Sequence, residues 1–125
     1  MYSYEELLNV IAQLRGEHGC PWDKAQTHES LIPCLRNECE EVVQAIEQHD
    51  EENLCEELGD VLLQVLLHAR IAEEEGQFTM ADVVNGLAEK MVRRHPISLI
   101  TFSTPRSNAS ATLICPFFTG TSTSG

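Results

Sequence analysis

From Glu51 to about Glu75 the chain reads as one long helix: Asp50 is placed to cap its start, Gly76 to stop its end, and no proline or period-two alternation intervenes. In a chain of 125 residues, which has room for one modest core, such an element is the rod along which the rest must pack. At about 100° per residue, Glu57, Asp60, Gln64 and His68 share an arc of about 80°, beside an apolar stripe of Leu54, Leu58, Val61, Val65 and Ala72. From Val61 to Leu67 this helix is apolar almost all round. Four helices of one small chain cannot surround one of their own number, so a homodimer or homotetramer is expected. Gly59, in mid-helix, costs about 1 kcal/mol against alanine, and a close helix approach is the expected reason for it.

The flanking sequence supplies three more helices. Ser3 with Glu6 forms a capping box ahead of a helix running to about Arg15, and Gly16 and Gly19 then open a loop through Pro21 and Trp22. Thr27 can cap a second helix reaching about His49, which Pro33 should bend or shorten by its first turn. Thr79 with Asp82 caps a fourth that ends before Pro96. Nothing before residue 97 alternates with a strand's period. The expected fold is therefore all-α and four-helix bundle-like, with a helical domain over 1–96. Residues 97–125 contain no Asp, Glu or Lys, carry only Arg106 as a charge and are rich in Ser and Thr; a poorly ordered tail is expected there.

On the second helix, Leu31, Leu35, Val42 and Ala45 lie within about 80° of one another, with Glu38 in the middle of that arc and Glu41 beside it. Two helices thus each turn a pair of acids, three residues apart, toward the interior. An unpartnered buried carboxylate costs several kcal/mol, and four together repel one another. Eight Lys and Arg residues in the whole chain can hardly compensate at one spot, whereas a hard divalent cation with oxygen ligands can. Mg²⁺ is the expected ion, with Mn²⁺ as the alternative. The bland alternative, in which these acids merely cover a solvated face, is made less favourable by their phase against the apolar stripe.

A net charge of -12 disfavours nucleic-acid backbones and anionic membranes as partners, so a phosphate-bearing ligand needs local cations. Lys90, Arg93 and Arg94 cluster at the end of the fourth helix, where they can complement the helix dipole or clamp phosphate oxygens. Lys24 is another candidate for the phosphates. Trp22, the single tryptophan, either stacks on a base or covers the core. His68 reads as a buried, hydrogen-bonded histidine, and the other four histidines show no ligand spacing. The five cysteines form no CxxC pair and read as reduced thiols. No apolar run reaches the roughly 18 residues of a membrane span, and MYSYEELL does not resemble a secretory signal, so a cytoplasmic location is expected. A P-loop motif is missing.

The segments GCPWDKAQT (19–27), ECEEVVQAI (38–46), ENLCEELGDVLLQV (52–65) and RRHP (93–96) together resemble the MazG-type nucleoside triphosphate pyrophosphohydrolases, over nearly all of 4–96. The resemblance implies an all-α fold, Mg²⁺ dependence, homo-oligomers, and hydrolysis of NTPs or dNTPs to a monophosphate and pyrophosphate. By motif position it implies Glu38, Glu41, Glu57 and Asp60 as metal ligands, with Lys90 and Arg94 at the phosphates. The mechanism it implies for the helical domain over 1–96 is attack of water on the α-phosphorus as pyrophosphate leaves, with a carboxylate orienting or deprotonating that water. Where many members carry two acids this chain has Asn37-Glu38, a change expected beside the ligands and not among them. The alternatives are a helical oligomerisation or nucleotide-sensing module without catalysis, and a sister activity such as phosphoribosyl-ATP pyrophosphohydrolase or dUTPase.

Overall fold

A computed structural model describes residues 1–95, so the expected tail over 97–125 lies outside the described residues. Within them the chain is helical: α1 is Tyr4–Leu14, α2 Pro21–Ala25, α3 Ile32–Glu47, α4 Glu51–Glu74 and α5 Met80–Arg94. The chain divides into two compact units, Met1–Val83 and a second beginning at Val84, each of which is described by itself.

The caps fall where side-chain chemistry puts them. Ser3 Oγ accepts from the Glu6 amide while the Glu6 carboxylate accepts from the Ser3 amide, and Thr79 and Asp82 repeat that exchange ahead of α5. Asp50 caps α4 through Asn53. Pro33 sits in the first turn of α3, where its missing N–H is harmless. Instead of bending a longer helix it marks where α3 begins, and Thr27 and Ser30 tie a turn ahead of it. Inside the loop expected after Gly16, Pro21 opens the short helix α2 that the sequence reading missed.

In the first unit α4 packs extensively on α3 and along α1. Ile11, Leu31, Leu66, Leu67 and Ile71 form the core. This corrects the phase assigned to the long helix. Of the stripe, Ala72 is buried but Leu58 is 51% exposed and Val65 is also exposed, whereas Gln64, Leu67 and Ile71 outside it are buried. The arc bearing the polar residues faces α3, and the apolar stripe beside it is left partly open. At Gly59 a built Cβ meets nothing within 4 Å, so no helix among the described residues makes the expected close approach.

Candidate metal centre

The α3–α4 hairpin turns on three residues, Gln48 to Asp50. His49 takes a left-handed φ of 54°, and the amides of His49 and Asp50 return to the carbonyls of Ile46 and Ala45, closing the end of α3. Asp50, next in the chain, caps α4. A link this tight fixes the two helices side by side, so carboxylates three residues apart on each come to one level. Glu38 and Glu41 from α3 and Glu57 and Asp60 from α4 each offer an oxygen, and these four oxygens lie within 4.8 Å of one another.

All four side chains are partly buried. Glu38 Oε2 and Glu57 Oε2 are shielded from solvent and have no hydrogen-bond partner. Glu41 Oε1 accepts from Asn37 Nδ2 at 3.2 Å, which places Asn37 beside the cluster as an outer partner. Burial above all, and then repulsion from Glu41 and Asp60, pushes the Glu38 carboxyl above its ordinary range. A hydrogen bond with the Glu41 carboxyl, followed by burial and the charges of Glu41, Asp60 and Glu38, raises Glu57 to about 7. Glu38 and Glu57 therefore hold protons unusually tightly, as acids do when crowded with nothing positive between them. Two buried orphan oxygens in an all-oxygen donor set fit a hard divalent cation: it would satisfy the orphans and cancel the repulsion together.

Of the other candidate residues, Trp22 and Lys24 lie on the short helix α2. Lys24 Nζ donates to the Glu17 carbonyl at 3.0 Å and not to any of the four acids. Trp22 is 57% exposed on α2, which rules out the core-covering role. Lys90, Arg93 and Arg94 lie on exposed positions of α5 in the second unit. His68 is the hydrogen-bonded, partly buried histidine expected: its Nδ1 lies 2.7 Å from His28 Nδ1, with the two rings stacked. Burial first and then the His28 charge lower its proton affinity. Gln64, one turn beyond Asp60, is buried with Oε1 unpartnered.

One residue that sequence reasoning passed over organises the neighbouring segment. Arg15, just past α1, makes a two-pronged ion pair with Glu74 of α4 at 2.7 and 3.1 Å. The same guanidinium donates to the carbonyls of Asp23 and Gln26 at 2.5 and 3.1 Å. An arginine in a last helical turn followed by two glycines is the only local sign of this, and it does not name the partners.

Residues 26–98 match the family described as the MazG nucleotide pyrophosphohydrolase domain. The nucleoside triphosphate pyrophosphohydrolase/pyrophosphatase MazG of Thermotoga maritima is 53% identical over 93 residues, 74% of this chain and 36% of that protein. The nucleoside triphosphate pyrophosphohydrolase of Escherichia coli is 42% identical over 97 residues, 77% of this chain and 37% of that one. YabN of Bacillus subtilis, a protein without an assigned role, is 55% identical over 95 residues, 76% of this chain but 19% of its own length. The chain thus spans well under half of these relatives. Among solved structures, a MazG-related protein from Thermotoga maritima superposes with a TM-score of 0.64 at 33% identity, covering 82% of this chain and 87% of that one.

Proposed function

The chain belongs to the MazG nucleotide pyrophosphohydrolase domain family, and from that membership we propose that it hydrolyses nucleoside triphosphates to a monophosphate and pyrophosphate, with Mg²⁺ held by Glu38, Glu41, Glu57 and Asp60. The observation that carries this reading is the meeting of four carboxylate oxygens within 4.8 Å, two of the side chains having a buried oxygen with no partner. Bound there, Mg²⁺ (or Mn²⁺) would neutralise triphosphate oxygens and the charge that develops on the departing pyrophosphate. One carboxylate of the cluster orients or deprotonates the attacking water. Lys24, Lys90, Arg93 and Arg94 are assigned to phosphate oxygens, which a protein of net charge -12 would otherwise repel. Trp22 is assigned to the base, because an exposed indole offers a sequence-tolerant stacking face. Free thiols at Cys20, Cys34, Cys39 and Cys55 support a reducing compartment, the cytoplasm. The exposed Leu58, Leu62 and Leu63 on α4 support a homodimer or homotetramer.

The test is pyrophosphate release across NTPs, dNTPs and dUTP with Mg²⁺ present or chelated. Release should depend on the ion, and Glu38→Gln or Asp60→Asn should each lower kcat/KM by about 100-fold or more. Unchanged turnover in both variants refutes the catalytic assignment. A rise in melting temperature with Mg²⁺ and nucleotide but no product would assign a nucleotide-sensing module instead.

A further inference from the structure

α2, which carries Trp22 and Lys24, has five residues and buries none of them. A helix this short is unstable by itself, and without a buried side chain the hydrophobic effect cannot hold it at a fixed angle. Its internal bonds, such as that from Gln26 Nε2 to the Trp22 carbonyl at 3.0 Å, shape the segment without placing it on the body. Arg15 supplies that placement. Its side chain is only 6% exposed. Nη1 of its guanidinium donates to the Asp23 and Gln26 carbonyls at the end of α2, and the Nε–Nη2 edge to the Glu74 carboxylate near the end of α4. A carbonyl at a helix end carries partial negative charge, so both carbonyls and the carboxylate bind the same cation. The approach to this clamp depends on Gly19: a Cβ there would collide with the Leu14 and Gln13 carbonyls, and the Cys20 amide could not reach Leu14 O at 2.9 Å.

We propose that Arg15 is a positioning residue of the hydrolase: by tying the end of α2 to Glu74 it fixes Trp22 and Lys24 for the nucleotide and so sets substrate affinity without touching the carboxylate cluster. The inference rests on the assignment of Trp22 and Lys24 to the substrate. It needs arginine and not merely a cation, since one ammonium cannot serve two carbonyls and both oxygens of a carboxylate in the plane of a fork.

The test compares the full chain with Arg15→Lys and with Glu74→Gln, the latter leaving the two carbonyl bonds in place. Three readouts are taken: kcat and KM for pyrophosphate release, fluorescence anisotropy of Trp22, and the melting-temperature rise caused by Mg²⁺ alone. Arg15→Lys should raise KM on the order of tenfold, as expected for losing one or two charge-assisted bonds, with kcat within about twofold. Trp22 anisotropy should fall, and the Mg²⁺ shift should be unchanged. Glu74→Gln should move KM and anisotropy in the same directions by less, and it decides the matter should Arg15→Lys fail to fold. A looser Trp22 with KM unchanged overturns the proposal, as does a fall in kcat at constant KM. If the unsubstituted chain releases no pyrophosphate, the hydrolase reading falls by itself. The clamp is then judged by the Kd of Mg²⁺-dATP from Trp22 quenching in the same variants, and complete absence of quenching overturns it too.

Discussion

Glu57 shows what four crowded acids do to one another before any cation arrives. Its carboxyl is raised from 4.5 to about 7, so between those values the folded chain binds a proton that the unfolded chain has released. The stability contributed by this group is therefore complete below pH 4.5 and is lost as pH climbs through about 7. His68 works in the opposite direction: its lowered affinity gives stability above pH 6.5 that is lost on acidification. A difference measurement separates the two. With metal chelated, the melting temperature of Glu57→Gln should gain steadily on that of the unsubstituted protein from pH 4.5 to 7, and Mg²⁺ should abolish the gap at pH 7 to 8 by replacing the proton; parallel curves would sink the account. Glu38 and Asp60 are legible in the sequence because the phase of each acid pair is fixed within a single helix. Arg15 and Glu74, 59 residues apart, are not, since their meeting depends on how α1 docks on α4. The His28–His68 contact, spanning 40 residues, is hidden for the same reason.

At the level of elements, the α3–α4 hairpin is what turns two helical phases into one cluster, and its weak point is His49. A left-handed φ of 54° costs a residue with a Cβ roughly 1 kcal/mol, and glycine is the usual occupant of this position after a helix. His49→Gly should accordingly raise unfolding stability by about 1 kcal/mol, read as a higher urea midpoint at constant slope, with the Mg²⁺ response preserved. A lower midpoint would show that the His49 side chain has contacts that outweigh the backbone strain. The start of α3 teaches a related lesson. Thr27 is a plausible cap by composition, but its side chain and that of Ser30 are satisfied by a turn, and the fixed φ of Pro33 suits a first helical turn better than an interior. Local sequence thus identifies the helix and places its beginning only once the competing turn is seen. α2 escaped notice because its five residues contain no hydrophobic period to read.

For the whole molecule the open question is the outer face of α4. Leu58, Leu62, Leu63 and Val65 lie on the longest helix of the described residues, yet all are exposed. Removing such side chains from water is worth on the order of 25 cal/mol per Å², and soluble chains rarely leave several together uncovered. Gly59 shares this face, being three and four residues before Leu62 and Leu63, and nothing among the described residues crowds it. A second copy packed on this face would explain both features, the leucines by burial and the glycine by close approach of backbones. The unsubstituted protein should then sediment as a dimer or tetramer with a melting temperature that rises with concentration. Leu62→Glu should yield a smaller species, because a carboxylate cannot enter the apolar contact unpaired. Gly59→Ala discriminates further. On an exposed helix face it should stabilise by about 1 kcal/mol through propensity alone, whereas at a tight contact between copies the added methyl should weaken association. A monomeric unsubstituted chain that Gly59→Ala simply stabilises would leave the face of α4 open to water and remove the oligomer from the proposed enzyme.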